Sequence, residues 1–243
     1  MYEQYKLKHS SKDPVWILHK FKDARDIEIA GLIVSCYSYG RVEQINVLME
    51  KLFIKIGFNV HEFTVNFSEQ KDKKFFKNLN YRFNSTDDMI SLFVNIQRIL
   101  IENGSLKSLF VNGMRKEDKN VLNGLYLFGN YLRRIKGKSI SYSYLIPDVR
   151  KNSACKRLNL YLRWMVRDDE IDTGCWKEVG KEKLIFPVDT HVYRVSRKLG
   201  LLERKSCDMK FSLELTEALK KFDPYDPVKY DFALCHIGIE GKL

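Results

Sequence analysis

Strand-like alternation is almost absent from this 243-residue chain. Signals for a membrane or for a cysteine framework are missing too. No stretch approaches the ~20 consecutive apolar residues of a membrane-spanning helix. The opening MYEQYKLKHS lacks the apolar core of a secretory leader. Five cysteines, at 36, 155, 175, 207 and 235, show neither a C-x-x-C pair nor a regular spacing. Neither a disulfide framework nor a metal cage is supported. There is no internal repeat and no low-complexity tract. These absences lead us to expect an intracellular, cytoplasmic, soluble protein with reduced thiols and without a metal or cofactor.

What is present is apolar residue in quantity and an excess of positive charge. Hydrophobic residues make up 44% of the chain, enough for one large domain or two lobes sharing a core. Lys and Arg number 42 against 31 acids, a net charge of +11, which favours a polyanionic partner, nucleic acid first. Apolar residues recur at helical spacing over 23–39 and again over 42–56, with Gly40 and Gly57 as stops. Ser85-Thr86-Asp87-Asp88 predicts a helix start, with acids in the first turn where the helix dipole favours them. Shorter helices are expected over 106–111 and 119–135, and another over 209–222. Asp226 before Pro227 has the form of an N-cap opening the last helix. The expected class is all-α.

Chemistry concentrates in 153–201. SACKRLNLYLRWMVR is strongly amphipathic and carries Lys156 and Arg157 in its opening turn. In LIFPVDTHVYRVSRKLGLL, Pro187-Val188 breaks one element and Asp189 opens the next. An amine and a carboxylate at two helix starts could face one pocket. With Ser153 as N-cap, Lys156 would be the third helical residue, where the positive end of the helix dipole opposes an ammonium. Ahead of it, 133–157 holds eight Lys or Arg against one acid, Asp148, with four serines. That composition suits a phosphate clamp that includes Arg150, Lys151 and Arg157. A metal-dependent nuclease is a remote alternative. Pro147-Asp148 and Asp208-Met209-Lys210 have the residue types of its carboxylate–lysine site, but that site is built on strands.

VDTHVYRV resembles the segment that places the catalytic aspartate at a helix start in helix-hairpin-helix DNA glycosylases, the endonuclease III-like superfamily. The wider pattern of ACKRLNLYLRWMVR, DTGCW, PVDTHV and DPVKYDFALCHIGI is similar to a bacterial branch that itself resembles archaeal 8-oxoguanine glycosylases. The likeness runs from about Asp13 to Ile239. It implies two helical lobes with a DNA-binding cleft between them, a barrel lobe over about 28–165 and a second lobe from 1–27 plus 166–243. The implied partner is double-stranded DNA containing a damaged base, bound by a monomer. One departure is that no Gly-rich turn precedes Lys156. Members that hold an iron–sulfur cluster end in four closely spaced cysteines, whereas only Cys235 lies near Leu243, so no cluster is expected.

The resemblance assigns Lys156 as the amine that attacks C1′ of the sugar and Asp189 as the carboxylate that steers the transition state, a glycosylase with AP-lyase activity acting on 8-oxoguanine for preference. Arg163 and Asp231 would contact the flipped base, with Trp164, Trp176 and Tyr230 available to sandwich it. LIVSCYSYGRVEQI resembles the barrel hairpin whose tip reaches the minor groove, which gives Tyr37, Tyr39 and Arg41 a wedging or stacking role. His191 would face the DNA. The competing expectation is a DNA-binding module of the same fold without turnover.

Overall fold

The computed structural model describes residues 13–151 and 153–241. Its regular structure is helical, and the described residues contain no strand beyond two isolated bridges. A 3-10 turn, Pro14–Lys20, leads into α1 (Ala24–Cys36), opened by Asp23, whose carboxylate accepts from Arg25 N at 2.8 Å. Helix α2 (Val42–Ile56) stops at Gly57, whose φ of +73° suits a residue without Cβ. Short helices α3 (Val60–Val65) and α4 (Glu69–Asp72) precede α5 (Thr86–Asn103). Helix α5 starts with a reciprocal capping box between Ser85 and Asp88. Then come α6 (Leu106–Asn112), α7 (Leu122–Tyr131), α8 (Ile140–Leu145) and α9 (Lys156–Val166). The chain finishes with α10 (Thr190–Lys198), α11 (Met209–Lys220), a 3-10 turn Pro227–Tyr230 and α12 (Asp231–Glu240).

Helix α1 runs through the middle of the core, buried from Glu28 to Cys36. It packs on α9 so closely that a Cβ at Gly31 would lie 2.6 Å from Met165 Cε. Glu28 is buried beside this contact. Its carboxylate accepts from the backbone N–H of Leu106 and Lys107 at the start of α6 and from Trp176 Nε1 at 3.0 Å. Those donors satisfy a carboxylate whose pKa burial raises. Helices α10, α11 and α12 form a second group, in which α10 packs along α12. The Pro14–Lys20 turn packs on α1 and α2, and reaches 166–243 through His19, whose Nε2 lies 2.9 Å from Ile171 O.

A buried ionic lattice joins the two groups. Arg163 donates to Asp172 at 3.0 Å and to Asp231; Arg167 donates to Asp172 and, at 3.0 Å, to Asp226. Asp226 stands at the N-cap of the Pro227–Tyr230 turn, with Pro227 opening it as its sequence context predicts, but its side chain makes no capping bond and instead holds Arg167. A cap contributes about 1 kcal/mol. Leaving a buried guanidinium unpaired costs roughly 3–5 kcal/mol, so the ion pair wins.

Candidate functional site

Lys156 and Asp189 come together. Lys156 is the first residue of α9 and Asp189 caps α10, and Lys156 Nζ lies 4.0 Å from Asp189 Oδ2. The carboxylate divides its work. Oδ1 accepts from the backbone N–H of His191 and Val192, both at 2.9 Å, while Oδ2 faces the amine. Capping fixes the aspartate, and the second oxygen remains available for chemistry. Both side chains stay partly open, 28% and 23% exposed, so a substrate atom could reach them.

The start of α9 differs from expectation. Cys155, not Ser153, is the N-cap, and Lys156 is first rather than third in the helix. Cys155 takes a left-handed conformation, φ +47° and ψ +38°, which costs a residue with a Cβ about 1–2 kcal/mol. Two bonds hold it there. Cys155 N donates to Ser153 Oγ at 3.1 Å, and Asn159 Nδ2 donates to Ala154 O at 3.0 Å. A left-handed residue with a Cβ thus sits immediately ahead of Lys156. It aims the first side chain of α9 at the start of α10.

Around this pair lie groups that spacing alone did not select. Cys235, on α12, has its Sγ 3.8 Å from Asp189 Oδ2. Burial pushes its thiol pKa up, and the charges of Asp189 and Asp231 push it further. Burial lifts the Asp231 carboxyl to about 6, against the pull of Arg163 and Lys156 and with an added push from Asp189. Asp13 adds its field to Arg163 and Cys235, and Cys207 feels Asp189 from the connector ahead of α11. Arg163 and Asp231 are locked together and buried, so their polar atoms are committed to the lattice rather than offered to a ligand. Trp164 and Trp176 lie in the core with no face open for stacking; Trp176 packs against Phe110 and Tyr161. Tyr230 is half-buried, with Lys229 Nζ 5.2 Å from its ring centroid. His191 is half-buried too, its Cβ against Gly238 of α12.

A second surface surrounds Arg157. Its guanidinium donates to Cys36 O at 3.2 Å and to Tyr144 O, and lies over the rings of Tyr144 and Tyr39 at 4.5 and 5.2 Å. Beside them Tyr81 and Asn84 close a tight turn through reciprocal backbone bonds of 2.9 and 2.8 Å, with Arg82 and Phe83 at its tip. Phe83 stacks on Tyr39 yet remains 52% exposed, and Tyr144 is 45% exposed. Tyr37 is fully buried and cannot wedge into anything. Tyr39 is half-buried with its hydroxyl on Asn84 Oδ1 at 2.5 Å, and Arg41 is exposed. The projecting aromatics here are thus Phe83 and Tyr144, neither of them among the residues expected to stack. The available signal was the Tyr-Arg-Phe-Asn run at 81–84, aromatic and basic residues ending in a turn-forming Asn.

The basic loop is only partly free for phosphate. Arg133 donates to Ile146 O, Arg134 pairs with Glu102 and Lys136 with Glu69, while Arg157 is held as described. Arg150 and Lys151 project into solvent, Arg150 with Asp148 3.6 Å away. The described residues contain no group of three His, Cys, Asp or Glu side chains fit to hold a metal ion. None of their helices is long and apolar enough to cross a membrane.

Fold and site together define an all-helical protein with a lysine–aspartate pair at two helix starts and an aromatic, basic surface beside it. The chain belongs to the family described as Protein of unknown function (DUF2400), which matches residues 13–240. No curated protein and no solved structure matches it.

Proposed function

We propose that the protein is a DNA glycosylase with AP-lyase activity that takes a flipped, damaged base, 8-oxoguanine being the best candidate, from double-stranded DNA. The observation that carries the proposal is the 4.0 Å approach of Lys156 Nζ to Asp189 Oδ2, with one oxygen of Asp189 spent on its helix and the other left for chemistry. In the forward step the amine forms a bond to C1′ as the bond from C1′ to the base breaks, and the base leaves with the electron pair. Asp189 stabilises the cationic sugar and takes protons from the amine. Collapse to a Schiff base permits β-elimination, which nicks the strand.

The net charge of +11 and the exposed Arg150 and Lys151 suit duplex DNA in a cleft between the two helical groups. Phe83 and Tyr144, outside the core and next to Arg157, suit insertion where a nucleotide has left the stack. The site is proposed to work in a monomer without a cofactor.

Borohydride trapping on a panel of single-lesion duplexes tests the reading. A covalent adduct and a nick are expected with the lesion the protein accepts. Binding to every duplex without adduct, nick or base release would instead identify a DNA-binding module that has lost turnover.

A further inference from the structure

The mechanism above does not use Cys235, although its sulfur stands 3.8 Å from the reactive oxygen of Asp189. Cys235 projects from α12, the helix packed along α10, so it approaches the carboxylate from a different element than either Lys156 or the capping N–H groups. Oδ1 has two backbone donors, and Oδ2 has the lysine at 4.0 Å and this thiol. Once an amine is consumed in bonding to C1′, Lys156 is no longer a fixed partner for Oδ2. The thiol is, because it does not take part in the reaction.

We infer that Cys235 is a positioning residue: its S–H donates to Asp189 Oδ2 and fixes the direction in which that oxygen faces the reacting sugar. A thiol must be protonated to donate, and this one is kept so by burial and by two neighbouring carboxylates. The charged and titratable groups around Asp189 are Lys156 from α9, Asp231 and Cys235 from α12, Cys207 from the connector before α11, and His191 on its own helix. Asp13 adds to the field on Cys235. Among these, Cys235 supplies a donor without adding charge to the site. Replacing it by an apolar side chain takes one hydrogen-bond donor from the ionised carboxylate. This role rests on the glycosylase proposal only for its effect on rate; the hydrogen bond exists or does not in the free protein.

The experiment compares Cys235→Val, which fills the space without a donor, with Cys235→Ser, which keeps one. The carboxyl carbon of Asp189 is titrated by NMR in the free proteins, assigned by its loss in Asp189→Asn. In Cys235→Val the midpoint should rise by about half a pH unit to one unit, and in Cys235→Ser it should return towards the parent. Base release should fall by a factor of about 2 to 10 in Cys235→Val with its acid limb moved to higher pH, while DNA affinity holds. Cys235→Ser should recover most of the rate. An unmoved Asp189 midpoint in Cys235→Val overturns the inference, and so do equal losses in the Val and Ser variants, which would mean packing alone. Should Cys235→Val not fold, Cys235→Ala replaces it with the same expected shift. If the midpoint moves as expected but no lesion is ever cut, the positioning role stands and the glycosylase proposal falls.

Discussion

Gly238 leaves His191 just enough room: a Cβ built on Gly238 would lie 2.8 Å from His191 Cβ and 3.2 Å from its carbonyl carbon. His191 is two residues into the helix that Asp189 caps, so this contact sets the height of α10 on α12. Gly238→Ala has to push α10 away, because a backbone atom cannot rotate aside as a side chain can. We expect a loss of about 1–3 kcal/mol in denaturant melts, the usual scale for overpacking. Lesion cleavage should fall further than that loss alone explains, because Asp189 moves with its helix. Unchanged stability and rate would show that the two helices are looser than their spacing implies.

The lysine and the aspartate can be told apart by isosteric changes. Lys156→Gln should abolish adduct trapping and nicking while duplex binding survives, since one cation among many is lost. Asp189→Asn retains an oxygen for the His191 and Val192 N–H groups, and Asn caps about as well as Asp. Its fold should be intact and base release down by ~10²-fold or more. Nicking by Lys156→Gln at the parental rate would assign the chemistry to another amine.

Charge and stacking should separate in binding measurements. Arg150→Gln with Lys151→Gln removes two exposed cations, which should weaken binding to all duplexes alike and flatten the dependence of log affinity on log salt by about 1 to 2. Phe83→Ala should leave that slope alone. It should reduce the fluorescence change of a 2-aminopurine placed beside an abasic site, and melt close to the parent because Phe83 is half outside the core. A salt slope unaffected by the double change would take the 148–151 loop off the DNA.

Acid should loosen the aromatic surface before the rest of the molecule. Burial alone would raise the Asp88 carboxyl, but Ser85 N, Ser141, Asn84 and Ser139 donate to it and hold it below the usual carboxylate range. Ser139 and Asn84 tie this carboxylate to the start of α8 and to the turn that carries Phe83. Above the unfolded value of about 3.9 both states are ionised and the folded state keeps its full advantage. As pH falls past it, the unfolded chain takes the proton first and stability drains away until folded Asp88 protonates too. Asp88→Asn should cost ~1–3 kcal/mol at pH 7 and progressively less below pH 4. A constant difference across urea melts at pH 7, 5 and 3 would rule this carboxylate out.

How much of this was legible in the chain depended on whether local chemistry or distant partners decided the outcome. The capping box at Ser85 and Asp88 and the apolar period of 42–56 are local, and those elements form where the residues predict. The meeting of Lys156 and Asp189 was suggested by two helix starts and a resemblance, neither of which measures a distance. Asp226 takes the N-cap position its context predicts, but Arg167, 59 residues away, draws its carboxylate from its own helix. Cys235 was invisible for a related reason: α12 is apolar nearly all round, so no periodic signal says which side of it faces Asp189. Trp164 and Tyr37 have the right chemistry for stacking on a base, yet tertiary packing, which composition cannot report, spends both on the core.

The lattice of Arg163 and Arg167 has a consequence for the order in which the chain matures. Their carboxylate partners on the far side, Asp231 and Asp226, lie 68 and 59 residues downstream. While the protein is being synthesised, α9 can seat its apolar face on α1, but two guanidinium groups then wait without those counter-charges until the start of α12 has emerged. Helix α9, which carries Lys156, therefore gains all its counter-charges only once the chain through Asp231 has been made. On the glycosylase proposal, a nascent chain that binds DNA by charge before Asp231 emerges would still lack a settled amine.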